Sequence, residues 1–273
     1  MRFHDRDHLR NVQYRNPSRL EARIRLHKLF GTNPLDFHRW IIEQARPDLP
    51  PRPRLLEVGG GHGRLWSENS DRVPDGWRII LSDFSNGMVS AAARDPQLQS
   101  MRRIGFACLD VQRLPFRTAV FEAVFAHFML YHVPDRELAF REIRRVLKPG
   151  GRLYAATLGR DHLREIYELA ERVDASAADR AREDWELSFR LDNGWEELAP
   201  FFPEVELLEY DDRLAITETE PLSDYVRSLA STDHWVPDQV DRLRADIDRW
   251  LLRDGVIHVR KEVGMFVARR NGG

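Results

Sequence analysis

Leu55-Leu56-Glu57-Val58-Gly59-Gly60-Gly61-His62-Gly63 joins a short apolar run to a glycine-rich turn. The run from Arg54 to Val58 reads as a buried strand, and the residues from about Gly63 to Ser70 take up a helical pattern. Glycines at such a turn let backbone approach a ligand closely, because no side chain intervenes and positive φ costs little. Their spacing discriminates between ligands. Gly59, Gly61 and Gly63 form G-x-G-x-G, whereas the dinucleotide fingerprint needs G-x-G-x-x-G, and Arg64 stands where its last glycine would fall. Nor does the stretch spell the G-x-x-x-x-G-K-[ST] phosphate loop, so a nucleoside ligand without phosphates fits better than a pyrophosphate.

Outward from this turn, short apolar runs alternate with helical patterns. Strands are expected at Trp77 to Ser82, Ile104 to Leu109, Phe121 to Ala126 and Arg152 to Thr157, with a helix from about Asn86 to Arg94. Another helix carries Ala139, Ile143, Val146 and Leu147 on one face and ends at Pro149-Gly150-Gly151. The alternation is that of a parallel sheet flanked by helices. Before residue 50 the pattern is helical, with a capping box at Ser18-Arg19-Leu20-Glu21 and a second short helix at Leu35 to Ala45. Beyond the fifth strand, Leu163, Ile166, Tyr167, Ala170 and Val173 recur at helical spacing, and a short helix covers Trp195 to Leu198. Val205 to Ile216 reads as strand, residues 221–254 as predominantly helical, and about Val256 to Ala268 as the last strand. The expected partition is an N-terminal helical lid at 1–50 and an α/β domain at 51–273 with a helical insertion at 221–254.

The chain of 273 residues carries 42 Lys and Arg against 44 Asp and Glu, a net charge of -2. No global field therefore draws it to nucleic acid or to an anionic membrane, and a small or neutral partner is expected. No run approaches the roughly 18 apolar residues of a membrane span, and the opening residues lack an apolar signal-peptide centre, which makes the cytosol the expected compartment. Cys108 is the only cysteine, so an intrachain disulfide is excluded, and its position in an apolar strand predicts core packing.

Acidic residues close the strands around the turn. Glu57, two residues before the glycines, can orient the cationic methionine end of adenosylmethionine, a phosphate-free nucleoside; the alternative is a solvated loop acid. Asp83 follows the second strand about twenty residues past the turn, where a carboxylate can accept both hydrogen bonds of a ribose diol or cap a helix. Phe84 beside it can stack on adenine or pack internally. Asp110 ends the third strand, where it can accept from the adenine amino group, with Val111 against the ring.

These segments resemble the class I S-adenosylmethionine-dependent methyltransferases, particularly the type 11 group related to the ubiquinone/menaquinone C-methyltransferases. The likeness covers roughly residues 54 to 158 and rests on four ordered segments: Leu55 to Gly63, Ser82 to Met88, Asp110 to Phe116, and Phe121 to Pro134 with Leu147-Lys148-Pro149-Gly150-Gly151. It implies a Rossmann-like seven-stranded, mostly parallel sheet whose last strand, near Val263 to Ala268, is antiparallel. It implies that Glu57, Gly59, Gly60 and Gly61 surround the methionine and ribose of the cofactor, with Asp83 on the ribose and Asp110 and Val111 at adenine. Tyr14, Arg23 and His27 resemble a helical N-terminal segment that some relatives fold over the cofactor. Two departures stand out: Gly60 occupies a position where many relatives have Cys or Ser, and the first acid is Glu57 rather than Asp.

The implied function is methyl transfer to a small-molecule O, N or C acceptor, leaving S-adenosylhomocysteine. Such a displacement needs alignment and exclusion of water, and a base only when the acceptor is protonated. Candidates at the end of the fourth strand are His127, which can also line the cofactor, with Tyr131 and His132, which can instead pack the turn. Arg23 and His27, four apart on the first helix, can close on the cofactor carboxylate or an acidic substrate, or lie on a solvated face. The aromatic residues Trp185, Phe189, Trp195, Phe201, Phe202, Trp235 and Trp250 can roof a substrate pocket or pack. His4, His8, His38, His162, His234 and His258 are scattered, so no metal site is expected. The rivals are a non-catalytic adenosylmethionine- or adenosylhomocysteine-binding protein, and a nucleic-acid methyltransferase. The latter would carry N/D-P-P-Y/F where this chain has His127-Phe128-Met129-Leu130.

Overall fold

The computed structural model describes residues 17–176 and 188–272. Tyr14 and Trp185 lie outside them. Among the described residues the strands are β1 (Arg54–Val58), β2 (Arg78–Asp83), β3 (Ile104–Cys108), β4 (Phe121–His127), β5 (Leu147–Leu158), β6 (Glu204–Glu209), β7 (Arg213–Ile216), β8 (Ile257–Arg260) and β9 (Val263–Arg269). The helices are α1 (Pro17–Phe30), α2 (Phe37–Ala45), α3 (Arg64–Ser67), α4 (Asn86–Ala92), α5 (Pro96–Ser100), α6 (Arg136–Val146), α7 (Arg164–Val173), α8 (Gly194–Leu198), α9 (Thr219–Arg227) and α10 (Pro237–Asp254). Helix α1 begins at Pro17, so Ser18 lies inside it rather than capping it as the box motif suggested. Proline is well suited to that first turn because its missing N–H has no helical partner.

The chain divides into two compact units. Residues 35–159, 189–210 and 264–273 form an α/β unit, and 1–34, 160–188 and 211–263 form a mainly helical one. This differs from the expected break at residue 50: α2 belongs to the α/β unit, where Ile41, Ile42 and Ala45 pack with Leu55, Trp66 and Phe125. The helical segment at 221–254 is likewise one part of a larger helical unit that also holds α1 and α7.

In the α/β unit seven strands run in the order β3-β2-β1-β4-β5-β9-β6. β1 pairs in parallel with β2 and β4, and β2 with β3 and β4 with β5 do the same, while β9 and β6 are antiparallel. Alternation along β4 explains the layers, since Val124 and Ala126 face one apolar cluster with Phe140 and Ile143 of α6, and Ala123 and Phe125 face the other with Trp66. Parallel pairing brings Val58, Asp83 and His127 to the same, carboxyl, edge of the sheet, where ligands of such sheets bind. Cys108 is exposed at the end of edge strand β3 rather than in the core, because an edge strand lacks a neighbour on one side.

The helical unit has its own core. Leu26 and Phe30 of α1, Ile166 and Leu169 of α7, Leu222 and Val226 of α9, and Leu243 and Ile247 of α10 are buried together with Leu214, Ile216, Ile257 and Val259. These last four come from the antiparallel pair β7–β8, a second, two-stranded sheet. The two long strands expected at Val205 to Ile216 and Val256 to Ala268 are therefore each two strands in different units. Their interruptions fall at Asp211-Asp212 and Lys261-Glu262, where Lys261 and Asp212 form a buried ion pair instead of continuing the ladder.

Gly63 shows how tightly the turn is seated. Its φ is +85°, and a Cβ there would lie 2.6 Å from Cδ1 of both Leu81 and Leu98. Gly63→Ala is expected to lower unfolding stability by about 2 kcal/mol, from left-handed backbone cost plus overpacking. Urea titration is the check, and Gly61→Ala, at φ +58° but with nothing within 4 Å of the added atom, should lose about half as much.

Candidate functional site

The glycine turn is stitched to β2 by backbone. Gly60 N–H donates to Ser82 O at 2.9 Å, and Gly63 N–H donates to Gly60 O at 3.0 Å, so the turn closes before α3 begins. Asp83 completes the seam: its Oδ2 accepts from Gly61 N at 2.9 Å and its Oδ1 from Ser85 N at 2.7 Å. Burial raises the Asp83 carboxyl above its ordinary range, against the two N–H groups that favour the charged form. Each carboxylate oxygen retains a second lone pair, so a ligand diol can still be accepted. Gly61 faces open space on this side, while Gly59, at φ +64°, is closed off by Met129.

Glu57 is buried, with 3% of its surface exposed. Its Oε2 accepts from Trp66 Nε1 at 2.7 Å, and its Oε1 lies 4.0 Å from His127 Nδ1. Burial pushes the Glu57 carboxyl up to about 7, opposed by the indole hydrogen bond and the His38 charge. The two departures in the motif are one: a Cβ on Gly60 would lie 2.5 Å from Glu57 Oε2, so the longer acid occupies the volume that a Cys or Ser would need. His127 is enclosed as well, and neither ring nitrogen has a hydrogen-bond partner among the described residues. Burial, aided by the His38 charge, brings it down to about 3, so the ring is neutral near pH 7 and a weak base.

Next to these groups is a constellation that the sequence did not disclose. His38 Nδ1 is 2.7 Å from Glu68 Oε2 and 3.6 Å from Asp36 Oδ1, and Arg64 Nε and Nη2 donate to Glu68 Oε1 at 3.1 and 2.6 Å. Burial opposes charge in all three partners. Even so, their mutual hydrogen bonds raise the His38 imidazole, lower the Asp36 carboxyl far below its ordinary range, and bring Glu68 to about 2. The ligand atoms of Asp36, His38 and Glu68 lie within 4.8 Å of one another, spacing that a metal could use. With Arg64 on Glu68, the raised imidazole and the two acids sum to no net charge.

The remaining expected residues separate. Asp110 accepts at Oδ1 from Gln112 N and Nε2, both at 3.0 Å, and so shapes the turn after β3. Val111 is 7% exposed and packs in the core beside Leu114. Phe84 is half-buried, and its carbonyl accepts from Cys108 Sγ. Tyr131 and His132 sit in a single 3-10 turn with rings 4.5 Å apart and nearly perpendicular. Arg23 lies in the helical unit, where Ser228 engages it. Phe189 and Phe202 are core residues and Trp195 is 57% exposed. An aromatic group missed by sequence reasoning stands after β4: Phe128, at φ +53°, meets Phe37 at 5.2 Å, and Phe37 stacks on Trp40 at 5.6 Å and abuts Tyr210 at 5.1 Å.

A seven-stranded, mostly parallel sheet in this order, with an open glycine turn after β1 and an acid after β2, is a Rossmann-like frame of the kind that methyltransferase domains have. Comparison with known proteins agrees: residues 56–155 match the family model described as "Methyltransferase domain". The ubiquinone/menaquinone biosynthesis C-methyltransferase UbiE of Vibrio campbellii is 32% identical over 123 residues, 43% of this chain and 47% of its own. The chain thus spans about half the length of the curated relatives it matches. Among solved structures, a phosphoethanolamine N-methyltransferase 2 of Haemonchus contortus, in complex with phosphomonomethylethanolamine and S-adenosylhomocysteine, superposes with TM-score 0.60 at 17% identity. That alignment covers all of this chain and 61% of that one. The [4+2]-cyclase SpnF shares the fold as well, with TM-score 0.53 at 19% identity over 86% of this chain and 80% of that one. No helix among the described residues is long and apolar enough to cross a membrane.

Proposed function

We propose that the chain transfers a methyl group from S-adenosylmethionine to a small-molecule O, N or C acceptor. One observation carries the reading: Asp83 braces the glycine turn through Gly61 N–H while Gly61 itself faces open space, which leaves a cradle without a side chain beside the Asp83 carboxyl. Asp83 would hold the ribose hydroxyls, and the Gly59 to Gly61 backbone would line the methionine portion. Glu57 supplies negative charge near that cationic end once it is ionised. Asp110 and Phe84 would border adenine. When bound, the cofactor supplies an electrophilic methyl on a sulfonium; the protein aligns the acceptor and excludes water. Neutral His127 acts as a hydrogen-bonding group rather than a strong base, and Glu57, close to neutrality, is the better proton holder of the pair.

The test is calorimetry with S-adenosylmethionine followed by a metabolite-extract screen with methyl-labelled cofactor. Saturable binding and a labelled product are expected. Absence of binding to folded protein defeats the proposal, and binding without any labelled product would favour a non-catalytic or non-methylating use of the fold, such as the cyclase neighbour's name suggests. Asp83→Ala should weaken S-adenosylmethionine about 30-fold, the loss of charge-assisted hydrogen bonds worth about 2 kcal/mol. Unchanged affinity in that variant would remove Asp83 from the site.

A further inference from the structure

Phe128 follows the last residue of β4 at φ +53°. L-residues enter this left-handed region at a cost that glycine escapes. Two other non-glycine residues among those described share it, and neither is comparable. Leu163 is 0% exposed in the core of the helical unit, and Ala119 carries only a methyl group. Phe128 holds a large, half-buried ring there and belongs to none of the three apolar cores. Glycine would take up the same backbone without strain, so the ring answers to something other than the turn itself.

The conformation changes where two side chains go. Alternation along β4 would send Phe128 to the α6 face with Val124 and Ala126, and Met129 to the opposite face with Phe125. The left-handed turn exchanges them: the Phe128 ring meets Phe37 of α2 at 5.2 Å, and Met129 packs with the α6 cluster. The reversal starts from a fixed point, because Phe128 N–H still donates to Ala156 O of β5 at 2.9 Å. Phe37 is itself braced, stacked on Trp40 at 5.6 Å and edge-on to Tyr210 at 5.1 Å, whose hydroxyl donates to Leu35 O. All of these residues lie in the α/β unit.

Both neighbours of Phe128 reach the first motif. Met129 lies over Gly59, where a Cβ would fall 2.6 Å from Met129 Cβ and 3.1 Å from its Cε. His127, on the other side, has Nδ1 4.0 Å from Glu57 Oε1, and both its ring nitrogens are buried without hydrogen-bond partners among the described residues. Orphaned nitrogens of this kind are a cost that a bound polar group removes. We infer that Phe128, held by Phe37, is a positioning residue for the cofactor cradle: its ring fixes the left-handed turn that sets Met129 against Gly59 and His127 beside Glu57. The inference rests on the cofactor reading of that cradle. It adds an aromatic brace from α2, which lies outside the segments that carry the family resemblance.

The experiment labels the methionine methyl groups of the full chain for NMR, assigns Met129 by the signal lost in Met129→Leu, and measures S-adenosylmethionine affinity by calorimetry. In the parent chain Met129 should give one resolved signal before ligand is added and shift on saturation with S-adenosylmethionine. Phe128→Gly keeps the left-handed backbone accessible and removes the ring. It should move the ligand-free Met129 signal toward that of an exposed methionine and weaken S-adenosylmethionine about threefold to tenfold, the worth of one aromatic pair. Phe37→Leu should do the same, and the double variant should lose no more than the greater single loss. Phe128→Tyr, which keeps the ring, should retain the parental spectrum and affinity. Parental affinity or a parental Met129 spectrum in Phe128→Gly, additive losses in the double variant, or a loss in Phe128→Tyr equal to that in Phe128→Gly overturns the inference. Circular dichroism accompanies each variant, and if Phe128→Gly does not fold, Phe37→Leu and Phe128→Tyr decide in its place. Absence of S-adenosylmethionine binding by the folded parent rejects the cofactor reading instead, and the ligand-free Met129 spectra then decide whether Phe128 sets the turn.

Discussion

Gly60→Ser is expected to cost about 4 kcal/mol of unfolding stability, the sum of overpacking and a buried hydrogen bond left unmade. A Cβ at this position would approach Glu57 Oε2 to 2.5 Å and the carboxyl carbon to 2.7 Å, so the acid must leave its place. Its departure strands the Trp66 indole N–H inside the core, where Trp66 has 0% of its surface exposed. Glu57→Asp in the same chain should restore at least about half of the loss, because the shorter acid vacates the volume that the serine needs. Denaturant titration of the two single variants and the double variant measures the coupling. Additive losses would show that residues 57 and 60 do not compete for one space.

Stability should also fall as pH rises from about 4.5 to 7, and Glu57→Gln should flatten that slope. The sign follows from the raised carboxyl. Below pH 4.5 Glu57 is protonated whether the chain is folded or not; between 4.5 and about 7 the folded chain keeps a proton that the unfolded chain has released. The unfolded state then binds fewer protons, so unfolding becomes easier as pH increases, by about 3 kcal/mol over the window for this group. Asp36 and Glu68, whose carboxyls are lowered, act in the opposite direction and further down the scale, losing their contribution as pH falls below about 4. Urea midpoints at pH 5 and pH 8 for the parent chain and Glu57→Gln isolate the difference. Equal slopes in the two proteins would mean that Glu57 ionises in the folded state as an ordinary acid. Binding of a cation beside Glu57 should draw the proton off, so S-adenosylmethionine affinity is expected to rise across the same interval.

The sheet was legible because its evidence is local: five buried runs, each followed by a turn signal or an acid, give strand, turn and helix in sequence order. Glu57, Asp83 and the glycines could be picked out for the same reason, since their position at strand ends follows from counting. The Trp66 contact could not, because it depends on how α3 is seated over β1 rather than on any spacing. The Asp36–His38–Glu68 cluster joins residues thirty apart through packing of α2 on α3, and nothing in either segment advertises the other. The Gly60 and Glu57 departures were the one visible trace of this buried chemistry, and they read as unrelated oddities until volume connected them. The second unit was missed because apolar alternation runs through Asp211-Asp212 and Lys261-Glu262 as though each stretch were one strand. Pattern reports the period of a segment and says nothing about which core receives it.

The three-part make-up of the helical unit has a practical corollary for anyone who wishes to re-engineer that unit. The backbone passes between the two units five times, near residues 34, 159, 188, 210 and 263. The helical unit could not be moved by exchanging an end of the chain, since the described part of residues 1–34 brings α1 and leaves behind α7, α9 and α10. A chimera must exchange all three segments at once and join them at those five crossings, or else redesign the donor helices in place. Trimming residues 1–50 as a detachable lid would do something different again: it would strip α2 from the α/β unit and open the face of Trp66 to water.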